Sequence, residues 1–204
     1  MVSFKQKSII LTTMLSATLL QSQLAFAHIT SAPHDHNSFF SGFLHPLSGL
    51  DHILVMVAVG LWAAQLGGKA LWAVPSAFVL AMALGYGLAL SHVDLPFVEP
   101  AILASTVAIG LLAAIALRVP TAIAVVIVGA FAVFHGAAHG AEIGTATAAA
   151  YGLGFALATA LLHMAGLAIG LGAGLFFGEY SSKTATRIGG ALTALAGLYL
   201  SFMA

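Results

Sequence analysis

Long apolar stretches separated by short polar segments dominate the chain from Gly49 onward. A helix needs about 20 predominantly apolar residues to cross a bilayer, and six stretches come near that length. These predicted spans are Gly49 to Leu66, Leu71 to Leu90, Phe97 to Leu117, Thr121 to Ala138, Ala148 to Phe176, and Thr186 to Phe202. The pattern therefore predicts an all-α, polytopic membrane protein with six transmembrane helices.

The composition agrees with this prediction. Of the 204 residues, 61% are hydrophobic and only 6% are charged, whereas about a quarter are charged in a typical soluble protein. The formal net charge of +0 argues against a nucleic-acid partner, which requires a basic surface. No G-x-x-x-x-G-K-[ST] loop is present, so no nucleotide partner is expected. The absence of cysteine excludes thiolate ligation of a metal.

The first residues resemble a secretory signal peptide. Lys5 and Lys7 precede an apolar stretch, and Ala25, Phe26 and Ala27 form a small-x-small cleavage signal. The alternative is an uncleaved first helix, although this stretch is short for a span. The predicted organisation is a signal peptide at residues 1–27, an extracytoplasmic histidine-containing tail at 28–44, and a six-helix transmembrane domain at 45–204.

The basic residues of the mature chain predict its orientation. Lys69 lies between the first and second spans, Arg118 between the third and fourth, and both Lys183 and Arg187 precede or begin the sixth. All four then fall on one side of the membrane, which the positive-inside rule makes cytoplasmic. Both mature termini are therefore expected to be extracytoplasmic, in agreement with a cleaved signal peptide.

Two motifs place ionisable residues inside predicted spans, where such side chains are costly and usually line an ion path or face a buried partner. The motif HPLSGLDHILVM contains His45, Asp51, His52 and Met56, and the motif FHGAAHGAE contains His135, His139 and Glu142. We interpret both motifs as parts of an ion-handling site.

Helical geometry predicts that the two motifs meet. At 3.6 residues per turn, His45, His52 and Met56 stand at i, i+7 and i+11 and are expected to share a face. Pro46 suits the first turn of that helix. The second motif has ionisable residues at i, i+4 and i+7, which again share a face. The first span runs inward and the fourth outward, so His52 and His135 are predicted to lie at similar depth in one site.

The donor types indicate a transition metal. Imidazole and carboxylate groups suit divalent nickel, cobalt, zinc or copper. Asp51 can either bind the metal or orient the ring of His52 by accepting its N–H. Further candidate ligands are Met56, Glu99, His163, His28, His34 and His36. The alternative roles for these residues are packing in the core, stabilising a helix terminus, or belonging to an unstructured tail.

Glycines repeat every four residues in two regions, and small residues at this spacing permit close approach of helices. The two series are Gly136, Gly140 and Gly144, and Gly166, Gly170, Gly174 and Gly178. The first series lies next to the histidines of the second motif. Close packing there is expected to hold those histidines toward a neighbouring helix.

The segment HPLSGLDHILVMVAVGLWA resembles the signature of the HupE/UreJ family, and FHGAAHGAE is similar to that family's second motif. The resemblance covers nearly the whole chain. It implies a multi-pass nickel or cobalt permease of the bacterial inner membrane, often associated with metal supply to hydrogenase or urease. A metal role carries over to His45, Asp51, His52, His139 and Glu142, with His135 as a further candidate.

The resulting hypothesis is a secondary permease, not an enzyme, whose substrate is a divalent metal ion and which has no cofactor. Its expected partners are the metal ion and the lipid bilayer, and an oligomer is possible. Two alternatives use the same ligands. The first is a membrane-embedded metalloenzyme with an open coordination position, and the second is a non-transporting metal sensor or assembly factor.

Overall fold

Seven α-helices make up the part of the chain that the computed structural model describes, residues 39–141 and 148–203. They are α1 (Phe39–Ser48), α2 (Leu50–Leu66), α3 (Ala70–Leu90), α4 (Val98–Ala114), α5 (Thr121–Ala141), α6 (Ala148–Phe177) and α7 (Glu179–Met203). The prediction of an all-helical protein is confirmed for these residues. The predicted signal peptide and most of the predicted tail lie outside them, and α1 begins within the tail's last residues.

Three helices, α3, α5 and α6, are long and apolar enough to cross a membrane. A fourth crossing is possible if α1 and α2, which are bent relative to one another, form a single span. Helix α4 is apolar but has 17 residues. Helix α7 has 25 residues and begins at Glu179, seven residues before the predicted start. The prediction missed these residues because the first two turns of the helix are polar, whereas the span was predicted from apolar residues alone.

The surface of the described residues is far more apolar than that of a soluble protein. Large apolar side chains cover the outer surface, including Trp72, Leu80, Val126, Leu175 and Phe202. The buried polar residues are Ser105, Thr106, His135, His139, Thr159, His163, Thr186 and Thr193. An apolar exterior around buried polar groups suits a lipid environment. The fold is that of a multi-pass membrane protein.

Glycines allow three pairs of helices to pack backbone to backbone. A Cβ atom on Gly60 of α2 would overlap the carbonyl oxygen of His163, and one on Gly166 of α6 would overlap that of Val57. Gly60 thus meets Gly166 and, one turn later on both helices, Ala64 meets Gly170, so α2 and α6 are parallel. Small residues provide this close approach because no side chain separates the backbones.

The other two pairs follow the same principle. Gly136 of α5 faces the Met82 carbonyl group of α3, and Gly140 faces that of Tyr86 one turn later, so α3 and α5 are also parallel. Helices α4 and α7 are antiparallel and meet through Gly110 and Gly190. The predicted role of the two glycine series is confirmed at Gly136, Gly140 and Gly166. Gly144 lies outside the described residues.

A break at Gly49 separates α1 from α2 and bends the chain by 86°. The prediction that His45, His52 and Met56 share one helical face is therefore wrong, as is the placement of Pro46 in a first turn. Pro46 lies in the last turn of α1, where the missing N–H and the ring oppose further helix, and Gly49 has an extended backbone with φ −101° and ψ 123°. His45 thus belongs to a different helix from His52.

Candidate metal site

Four imidazole rings from three helices meet at the break between α1 and α2. We call His45 of α1, His52 of α2, and His135 and His139 of α5 the imidazole cluster. The ring centroids of His45 and His139 are 4.4 Å apart, those of His52 and His139 4.9 Å, and those of His52 and His135 5.5 Å. The structure thus brings histidines of the two sequence motifs into contact, while their depth in a membrane stays a prediction.

The bend at Gly49 brings the ring of His45 to the cluster. His45 stands one turn before the end of α1, and the 86° bend leaves its ring centroid 6.2 Å from that of His52. A Cβ on Gly49 would lie 2.8 Å from Oδ1 of Asp51 and 3.1 Å from Nδ1 of His52. Glycine at this position therefore leaves the space in which the Asp51 and His52 side chains interact.

Two hydrogen bonds define the protonation of His52. Its Nδ1 lies 3.0 Å from Oδ2 of Asp51, and because a carboxylate only accepts, His52 Nδ1–H is the donor. In a neutral ring Nε2 then carries the lone pair, and it lies 2.7 Å from Nε2 of His139. His139 Nε2–H donates to this lone pair. Asp51 is thus bonded to the side of His52 that faces away from the other imidazoles.

Ser105 of α4 fixes the orientation of His135 in the same manner. Its hydroxyl group donates to the Ile102 carbonyl oxygen at 2.6 Å, and because it has a single hydrogen, Oγ accepts from His135 Nε2–H at 2.9 Å. Nδ1 of His135 is then the unprotonated nitrogen. It is buried, and no hydrogen-bond partner for it exists among the described residues. His135 therefore presents a lone pair to the interior of the protein.

Aromatic rings surround the imidazole cluster. Phe155 lies 4.6 Å from the ring of His139, and Tyr151 lies 5.9 Å from that of His45, both from α6. Phe78 of α3 packs against His135 at 5.5 Å. Apolar walls exclude water and strengthen interactions between the imidazoles and any ion that binds there.

The remaining predicted ligands have different positions. Met56 is completely buried in the apolar core, and Glu99 is exposed in the first turn of α4. His163 is completely buried beside Phe78. Glu142, His28, His34 and His36 lie outside the described residues.

Within residues 39–141 and 148–203, no three His, Asp or Glu side chains already have the spacing of a metal site. His52 and His139 are instead joined by a hydrogen bond. An ion bonded to both Nε2 atoms at about 2.1 Å in tetrahedral geometry would hold them roughly 3.4 Å apart. The present 2.7 Å is the distance of two nitrogens that share a proton. Moving the two Nε2 atoms apart by less than about 1 Å would convert the hydrogen-bonded pair into a pair spaced to bind one ion.

Comparison with known proteins identifies the family of the chain. The family model described as "HupE / UreJ protein" matches residues 16–200. The chain is similar to "Protein HupE" of Rhizobium leguminosarum bv. viciae, with 45% identity over 191 residues that cover 93% of this chain and 96% of that protein. No solved structure matches the chain. The chain therefore belongs to the HupE/UreJ family.

Proposed function

We propose that this protein is a secondary permease for uptake of a divalent transition-metal cation, nickel or cobalt first, with zinc and copper suited to the same donors. The observation that carries the proposal is the imidazole cluster, in which three helices bring four imidazole rings together inside an apolar fold. Imidazole is a common ligand for all four metals. The metal ion is the substrate of this site, so the protein has no catalytic role in the proposal.

The hydrogen bonds of the cluster suit reversible binding. The lone pair on His52 Nε2 accepts a hydrogen bond from His139 Nε2–H, and an arriving cation would replace that hydrogen bond as the proton of His139 is released or moves to its Nδ1. Asp51, bonded to Nδ1, would hold the ring in position without binding the ion. Ser105 would have the same role for His135. These contacts favour an orienting role for Asp51 over the direct ligation that the sequence left open.

Glu142 stays a predicted ligand, three residues after His139. A carboxylate at that position would offset part of the charge of a divalent ion as the ion loses its water shell. The predicted histidines of the tail, at 28, 34 and 36, stay candidates for collecting the metal before it reaches the cluster.

The proposed topology has six spans in the bacterial inner membrane, with a cleaved signal peptide and both mature termini outside. Lys69, Arg118, Lys183 and Arg187 would then face the cytoplasm. The packing directions support this arrangement, because α2 and α6 are parallel, α3 and α5 are parallel, and α4 and α7 are antiparallel. If α2 to α7 are six spans that alternate in direction, the first and fifth are parallel, the second and fourth are parallel, and the third and sixth are antiparallel.

The membrane potential is sufficient to drive uptake. An inside-negative potential of about 100 mV favours inward movement of each elementary charge by roughly 2.3 kcal/mol, hence about twice that for a divalent ion.

Uptake of radioactive nickel and cobalt tests the proposal. Bacterial cells that express the full chain are expected to accumulate either metal faster than cells that carry an empty vector, and addition of a protonophore should slow the uptake. Equal accumulation in both cell types would reject the permease. Metal-dependent hydrolysis by the purified protein without uptake would instead favour the metalloenzyme.

Ser105→Ala is expected to weaken metal binding to the cluster by roughly 10-fold to 100-fold, the usual effect of removing a partner that orients a ligand. The variant leaves His135 free to change tautomer and to place its proton on Nδ1. Titration of purified protein with Co²⁺, followed by the visible absorption of the bound ion, measures the affinity. Ser181→Ala is the control, since this serine of α7 donates to the Phe177 carbonyl oxygen at the end of α6 and has no contact with the imidazole cluster in the described part of the chain. Unchanged affinity in Ser105→Ala would contradict the orienting role.

A further inference from the structure

His163 of α6 is a buried imidazole outside the imidazole cluster. Its side chain is completely inaccessible, and neither Nδ1 nor Nε2 has a hydrogen-bond partner among the described residues. A buried nitrogen without a partner costs free energy relative to an apolar side chain of the same shape. Such a group in a folded protein calls for an explanation, and a transiently bound ion is one of the few available.

The position of His163 connects it with the cluster. Its ring centroid lies 5.0 Å from that of Phe78, with the rings edge to face, and the ring of His135 lies 5.5 Å from the same phenyl group. Phe78 is thus a single side chain in contact with both imidazoles. An ion that leaves His135 and passes this ring would next meet His163.

His163 also lies deeper in the bundle than His52. Its backbone packs on Gly60 of α2, which is eight residues beyond His52, or about 12 Å along the helix axis. In the proposed topology this is the cytoplasmic direction. Gln65 lies in the last turn of α2. Its side-chain atoms Nε2 and Oε1 are also buried and have no hydrogen-bond partner among the described residues. Unpartnered polar groups therefore occur on both α6 and α2 on the inner side of the cluster.

We propose that His163 forms a second, inner binding position for the divalent cation, separated from the imidazole cluster by the ring of Phe78. This inference rests on the proposed function. The cation moves from the cluster past Phe78 and binds an imidazole nitrogen of His163, with water completing its coordination. Two positions in series allow each to bind weakly enough for release, which a single tight site would prevent.

The test separates transport from binding and folding. His163→Leu removes both nitrogens and retains an apolar side chain, and His163→Phe also retains a ring against Phe78. Full-length protein is reconstituted into vesicles with a trapped metal-sensitive dye, and the initial rate of Co²⁺ influx, the Co²⁺ affinity of the cluster and the melting temperature are measured. Met164→Leu, at the adjacent and exposed position, is the matched control.

Both His163 variants are expected to melt at or above the temperature of the unaltered protein and to bind Co²⁺ at the cluster with little change in affinity. Their influx rate should fall by at least about 10-fold, since they lack an interaction that the moving ion requires. Influx at the unaltered rate in whichever variant folds would overturn the inference and leave His163 as a packing residue. Absence of influx through the unaltered protein would instead overturn the permease itself.

Discussion

Replacing His52 by alanine is expected to reduce nickel uptake to the background of cells that lack the protein. His52 is hydrogen-bonded to both Asp51 and His139, and its ring packs against those of His45 and His135. The substitution removes a proposed ligand and leaves the Nε2–H of His139 without its present acceptor. The loss should exceed the roughly 10-fold to 100-fold that follows removal of an orienting partner. Initial rates of radioactive nickel uptake, normalised to the amount of protein in the membrane, measure the effect.

Two further variants make this prediction specific. His92→Ala alters an exposed histidine in the turn after α3 and should leave uptake close to that of the unaltered protein. Asp51→Asn retains an oxygen that can accept from His52 Nδ1–H but loses the negative charge, so an intermediate loss is expected. Uptake by His52→Ala at the rate of the unaltered protein would remove the cluster from the transport path. Complete loss in Asp51→Asn, with nickel no longer bound, would favour a direct ligand over an orienting residue.

Gly136→Ala is expected to have the largest effect on stability. The added Cβ atom would overlap the Met82 carbonyl oxygen and lie 2.7 Å from the Tyr86 backbone nitrogen. Because backbone atoms cannot move aside as a flexible side chain can, α3 and α5 must separate. Overpacking of a buried site typically costs about 1–3 kcal/mol and sometimes more. The shift would also move His135, the preceding residue, so the melting temperature and the metal affinity should fall together.

Gly87→Ala is the matched control for this prediction. Gly87 lies on α3, and a Cβ atom there would meet nothing within 4 Å. Alanine is favoured over glycine within a helix by roughly 1 kcal/mol, so this variant should be as stable as the unaltered protein or slightly more so. Equal melting temperatures for Gly136→Ala and Gly87→Ala would contradict the close packing of α3 on α5.

The meeting of the two motifs could be predicted from the sequence because it depends only on the regular rise of a helix. His52 and His135 stand at similar distances from the predicted outer ends of two predicted spans of opposite direction, and their ring centroids are 5.5 Å apart in the structure. The close approach at Gly136 was predictable for a similar reason. Spacing of four residues specifies one face of a helix, and glycine permits contact of backbones.

The bend at Gly49 could not be predicted from periodicity, since the ligand spacing fits a continuous helix equally well. Its signals were Pro46 and Gly49 themselves, which oppose an uninterrupted helix when they occur three residues apart. Ser105 gave no signal. A serine in an apolar helix usually bonds to its own backbone, and no spacing connects it with His135, thirty residues later. Tertiary packing alone brings that hydroxyl group to the imidazole.

The aromatic residues around the imidazole cluster also could not be predicted from the sequence. Phe78 and Phe155 are apolar residues in apolar helices, so their sequence context is that of many lipid-facing positions. Only the packing of α3 and α6 around α5 turns these two rings toward the imidazoles.

The most direct test of the account is a structure of the full-length protein with bound nickel, determined with anomalous scattering at the nickel absorption edge. We expect an anomalous peak about 2.1 Å from Nε2 of both His52 and His139, with these two nitrogens moved beyond about 3 Å from one another. Asp51 should still accept from Nδ1 of His52. A nickel peak away from the cluster, with the two nitrogens still 2.7 Å apart, would contradict the account.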